Sequence, residues 1–217
     1  MVFWLFLLAT SPIQAQVTSH SPIGIGNLHS LSPPQAHTLI PAHVRPLLSP
    51  HDQESFLHEL EGEAPDWSRL HDQPNEELGE RLFAFNRKRD QARQGHVLLN
   101  QQIAFLWSGL LRQYVPEHQG FTIAMGPDFT KTDWGVVRFK PAGLPQEMIA
   151  IPSPDLHNFL QQQLAQGNKV EIKILFTGRL IPDESIIYAF SHDDPNQGMI
   201  MPVVQMEAIQ YFLQSPE

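Results

Sequence analysis

Histidine is the residue type in this chain best placed by number and position to do chemistry. Seven of the eleven, His20, His29, His37, His43, His51, His58 and His71, fall in the first third of 217 residues. Neutral imidazole ligates zinc, copper and nickel, and nearby acids add oxygen donors. His51 and His58, set among Asp52, Glu54 and Glu59, are the candidate ligands of this arm. The spacing is irregular, with no H-x-H and no H-E-x-x-H. His58-Glu59 is followed by Leu60, Glu61 and Gly62, so the second histidine of a zincin is missing. A polar, solvated arm accounts for the same pattern without a metal.

Two loops carry clustered carboxylates. Residues 191–198 (SHDDPNQG) place His192, Asp193, Asp194 and Asn196 together, a set able to offer oxygen ligands to a cation. They lack the spacing of an EF-hand, and Asp, Pro, Asn and Gly are also the residues a hairpin turn requires. Residues 126–135 (GPDFTKTDWG) hold Asp128, Lys131, Asp133 and Trp134 between two expected strands. They could present an aromatic ring and two carboxylates to a ligand. A solvated turn with Trp134 anchored in the core is the plainer reading.

Five of the fourteen bases, Arg81, Arg87, Lys88, Arg89 and Arg93, lie within residues 81–93. They follow a segment, 51–80, with ten acids and one base, which holds nearly all of the chain's net charge of −9. The basic run could meet an anionic partner by Coulomb attraction, with Arg87, Lys88 and Arg89 as contact residues and Trp134 as an aromatic candidate. Alternatively it is a solvated helix face, neutralised where the acidic segment folds back on it.

Other chemistry is excluded or unsigned. With no cysteine there are no disulfides, thiolate metal sites or cysteine nucleophiles. The negative balance argues against nucleic acid. There is no G-x-S-x-G, no Walker A sequence and no G-x-G-x-x-G between a strand and a helix, so no cofactor is expected. Ser108, inside the apolar run FLWSGLL, reads as a small packing residue. His157 is a remote candidate for a hydrolytic site.

The elements that must position these groups follow from punctuation and periodicity. Residues 1–15 resemble a signal peptide, with an apolar run MVFWLFLLA, then Ser11-Pro12, and small Ala15 before Gln16. No base precedes the run, and it is too short to span a bilayer. Residues 16–50 carry six prolines and no sustained apolar period, which predicts a flexible linker rich in Pro, His and Ser. An acidic segment, 51–73, begins with a short helix bearing Phe56, Leu57 and Leu60 and stopped by Gly62.

A domain over 74–217 is expected to be α+β, a helical N-terminal part followed by a mostly antiparallel sheet in the order β-β-β-α-β-β-β. A long helix is predicted from 74 to about 115, broken near Gly95. Leu78, Leu82 and Phe85 form its first stripe, and Leu99, Ile103, Leu106, Leu110 and Tyr114 its second. Strands are predicted at 121–125, 134–140, 148–151, 170–177, 186–190 and 199–206, the last three as an antiparallel meander. Ser153-Pro154-Asp155 starts a helix with Leu156, Phe159, Leu160 and Leu164 buried and Gly167 as its stop. Residues 207–213 fit either a strand or a helix.

These features point to an exported, non-catalytic accessory protein of the cell envelope, periplasmic or secreted, acting through protein–protein contact. Its expected partner is an envelope protein. Membrane contact is confined to an uncleaved 1–15 or to the basic 81–93 face. A periplasmic metal-binding protein using the histidine arm is one alternative, and an envelope hydrolase is another.

Overall fold

Residues 24–31, 35, 37–71, 75–191 and 197–214 are described in a computed structural model of the chain. The expected signal peptide, His20, and the group His192, Asp193, Asp194 and Asn196 lie outside these residues.

Eleven strands form one mixed sheet. They are β1 (Ile25–Leu31), β2 (Arg45–Pro46), β3 (Gln102–Val115), β4 (Gly120–Met125), β5 (Thr130–Thr132), β6 (Gly135–Val137), β7 (Lys140–Ala142), β8 (Ile149–Pro152), β9 (Glu171–Leu180), β10 (Ile186–Phe190) and β11 (Gly198–Gln214). The hydrogen-bonded order β1-β8-β4-β3-β9-β11 returns to β1, because β1 pairs with β8 through Ile25–Leu28 and with β11 through Leu28–Leu31. Six strands thus close into a barrel. A barrel this small is filled by its own side chains. Leu28, Ile103, Phe105, Trp107, Phe121, Ile174, Phe176 and Tyr211 are buried in one cluster, with Phe105 stacked on Phe139 at 4.3 Å.

The 17-residue β11 runs out of the barrel into a second, smaller layer. Its first residues pair with β10 on one edge and with β6 on the other, and β5 extends that layer beyond β6. Three helices cover this extension: α1 (Pro50–Glu61), α2 (Trp67–His71) and α3 (Asn75–Arg93). Ser49 and Asp52 form a reciprocal capping box at the start of α1, and Phe56, Leu57 and Leu60 enter the core. Gly62, at φ 80°, ends it as the sequence predicts. Trp67 donates from Nε1 to the Trp134 carbonyl at 2.7 Å and lies flat over Gly198, where a Cβ would overlap its ring. A fourth helix, α4 (Pro154–Ala165), packs Leu160 into the core.

The α+β class holds, and the composition of the sheet differs from expectation in several places. Residues 102–115 are not helical; they form the central strand β3, paired with β9 over nine residues and with β4. The outer face of β3 is covered at Ala104 and Leu106 and also carries Leu110, so apolar residues sit on both faces and the sequence does not alternate even though burial does from Phe105 to Leu111. A dense apolar run contains steps of three and four by chance, and those steps mimic a helical stripe. Part of the expected linker is ordered on the barrel. Residues 25–31 are a barrel strand, and Val44 and Leu47 are buried. Leu31, Leu39, Ile40, Val44 and Leu48 strap the outside of the barrel against Ala104, Leu106, Leu175 and Phe212. These apolar residues are too sparse to show a period, and their partners lie far away in sequence.

Within residues 74–217, six strands, β3 to β8, precede α4 where three were expected, three follow it as expected, and several pairings are parallel. Residues 134–140 split into β6 and β7 at Arg138-Phe139. The last three strands are not a meander: β9 and β10 follow one another along the same edge of β11, joined through Ile181, Ser185 and Val203. Residues 207–213 continue β11 as strand. Ser153 occupies the N-cap of α4, but its hydroxyl makes no cap bond, and Phe159 faces solvent.

Candidate functional site

The basic run and the acidic segment meet at α3, and the structure separates their charges into two populations. One is buried. Arg93 and Glu61 have side chains only 1% exposed and are ion-paired to each other. Arg93 also pairs with Asp90 and donates from Nε to Ser185 Oγ at 3.0 Å and from a terminal nitrogen to the Ile186 carbonyl at 3.3 Å. The second oxygen of Glu61 accepts from Arg89 at 3.1 Å. Arg89 in turn lies over the rings of Phe85 and Tyr188. Burial raises the Asp90 carboxyl above its ordinary range, against the pull of Arg93. These charges lock α1 and α3 onto β10. Asn86 completes the lock, accepting from the Tyr188 N–H at 2.8 Å and donating to its carbonyl at 2.9 Å, as a further strand would.

The other population faces water. Phe83 is 65% exposed, with the Arg87 guanidinium 5.8 Å from its ring centre, and Lys88 is exposed beside them. Positions 83, 84, 87, 88 and 91 share the solvent side of α3 at helical spacing. Between this face and α2 runs a groove of about 430 Å³ lined by Asp66, Arg69, Leu70, Arg81, Ala84, Phe85 and Lys88. Asp66 is engaged within its own turn. Bonds from the Ser68 hydroxyl and the Arg69 N–H hold its carboxyl below the ordinary range. Lys88 makes no hydrogen bond or ion pair among the described residues.

Of the contact residues expected from sequence, Arg87 and Lys88 lie on this face. Arg89 is turned inward to Glu61. Trp134 is 7% exposed, a core anchor rather than a contact residue. Phe83, Arg69 and the groove were not legible from spacing, because they depend on how α2 docks beside α3. Glu61 was counted only as part of an acidic run.

The remaining candidates among the described residues do not converge. His51 and His58 are exposed on α1, seven positions apart, and no group of three or more potential metal ligands occurs among the described residues. Asp128 accepts the Ser108 N–H at 2.6 Å, capping the edge of β3 where β4 ends. Asp133 is exposed, and its N–H donates to Glu54. His157 packs edge-on against Tyr114 at 4.9 Å. Ser108 is not inside a helix. On β3 it faces Lys173 of β9, whose Nζ donates to the Ser108 hydroxyl at 2.9 Å, beside a cavity of about 430 Å³. There the hydroxyl accepts, the reverse of what a general base asks of a nucleophile.

No helix among the described residues is long and apolar enough to cross a membrane. Comparison with protein-family models, with curated proteins and with solved structures finds no match to this chain.

Proposed function

We propose that this protein is an exported, non-catalytic accessory protein of the cell envelope that works by contact with another protein. The observation that carries the reading is the solvent face of α3, where a large aromatic ring stands 65% exposed beside Arg87 and Lys88. Burying a phenyl ring of this size contributes about 2 kcal/mol, and its exposure beside an arginine supports the contact reading, since aromatic rings and Arg are enriched at protein interfaces. The inward side of α3 holds the fold through Asn86, Arg89 and Arg93, the two arginines pairing with Glu61 of α1. The export part of the proposal rests on residues 1–15, and the contact part on α3.

The test is site-specific photo-crosslinking in the native host. A photoreactive residue at position 83 is compared with one at Val97, also an exposed apolar side chain. The expected result is a single discrete adduct from position 83, lost with Arg87→Glu and absent from position 97. Equal, diffuse labelling from both positions removes the contact reading.

A further inference from the structure

The groove beside this face has a floor and a rim of different chemistry. Its floor is apolar, formed by Leu70, Ala84 and Phe85, and its rim carries the exposed bases Arg69 and Lys88. The rim also holds one carboxylate, Asp66, which accepts from Ser68 and the Arg69 N–H and keeps its negative charge. The nearby Glu61 is spent on Arg89 and Arg93. Among the residues that line it, three bases, Arg69, Arg81 and Lys88, stand against one acid, a local positive excess in a chain of net charge −9. Charge complementarity selects acidic ligands, and the recessed apolar floor selects a ligand that can insert a side chain.

A flat anionic membrane fits less well. Each base near a membrane surface contributes about 1 kcal/mol, so two or three give weak adsorption, and a bilayer surface does not reach a recessed floor. We propose that the groove between α2 and α3 receives an acidic segment of the partner protein, anchored by one apolar side chain between Arg69 and Lys88. This rests on the contact reading above and names the chemistry of the partner. The anchor sits on Leu70 and Phe85, and the flanking carboxylates meet Arg69, Lys88 and its neighbour on α3, Arg87.

The test uses the full chain and fluorescent synthetic peptides in anisotropy titrations. One peptide carries a central leucine flanked by glutamates, a second replaces the glutamates by glutamines, and a third replaces the leucine by serine. Vesicles containing phosphatidylglycerol form a fourth arm. The expected result is saturable binding of the first peptide alone, weakened on raising salt from about 50 mM to about 500 mM. Reversing both rim charges, Arg69→Glu with Lys88→Glu, should weaken it by about tenfold or more. Ala84→Tyr, which fills the groove without changing charge, should weaken it as well and serves if the double reversal unfolds. Equal binding of the glutamine peptide, binding insensitive to both variants, or capture by vesicles with no peptide binding each overturns the proposal. A discrete adduct at position 83 with no acidic-peptide binding overturns this inference alone. Failure of both experiments removes the contact reading with it.

Discussion

The buried ion pair between Glu61 and Arg93 offers the sharpest test of how the helical layer is held. Arg93 has four partners in a site that excludes water: Glu61, Asp90, Ser185 and the Ile186 carbonyl. Replacing Glu61 by alanine leaves the guanidinium buried with one carboxylate, that of Asp90. Removing one member of a buried pair costs about 3–5 kcal/mol, and the surviving Asp90 places this case near the lower end, about 3 kcal/mol. Glu61→Gln keeps an acceptor oxygen in place and should cost less, about 2 kcal/mol. Arg89 loses the same carboxylate and, with a side chain only 16% exposed, adds to the penalty, offset in part by the two aromatic rings it rests on. The double variant Glu61→Leu with Arg93→Met replaces both charges by apolar groups. It should be more stable than the sum of the single variants by about 2 kcal/mol or more. Urea unfolding followed by tryptophan fluorescence measures the wild type, Glu61→Ala, Glu61→Gln, the singles Glu61→Leu and Arg93→Met and their double variant, with an unchanged m-value as the check on two-state behaviour. A loss below about 1 kcal/mol for Glu61→Ala, or no coupling in the double variant, would refute the claim that this pair holds α1 and α3 to the barrel extension.

Other expectations follow from single contacts. Gly198→Ala puts a methyl group into the Trp67 ring, so a loss of about 2–3 kcal/mol and a changed tryptophan emission spectrum are expected; a silent substitution would mean that Trp67 does not seat there. Leu28→Ala should cost about 2–4 kcal/mol in the same unfolding assay, as for any buried barrel residue, whereas a flexible linker would tolerate it without loss. Glu59 is held below its ordinary range by its bidentate bond to Arg45. Its contribution is therefore full above the ordinary glutamate pKa of 4.5 and is lost as pH falls through the lower folded-state value. Stability curves of wild type and Glu59→Gln should converge in that acidic window, and parallel curves would contradict the assignment. Asn86→Ala leaves the Tyr188 N–H and carbonyl without their side-chain partner and should cost about 1–3 kcal/mol, with faster hydrogen exchange at Tyr188.

The sequence by itself determined the elements whose signals are local. Pro50 and Gly62 bracket α1, Pro154 opens α4, and the apolar alternation through Ile172, Ile174 and Phe176 marks β9, although Leu175 and Thr177 on its other face are buried too, because capping and period-two patterning act within a few residues. It also located the acidic and basic runs and named Arg87 and Lys88 among the bases. Tertiary structure decided the rest. Whether QIAFLWSGLLRQYV is helix or strand depends on β9 and β4 flanking it on both edges, and apolar Ala104, Leu106 and Leu110 on its outer face hide the alternation that would have identified it. Whether residues 25–31 are linker or barrel strand depends on β8 and β11, more than a hundred positions away. The same holds at the candidate site. Arg87 and Arg89 are two residues apart and chemically identical, yet a helix turns them to different sides, and only the docking of α1 and β10 decides which one is spent on Glu61 and which one is left to meet another molecule.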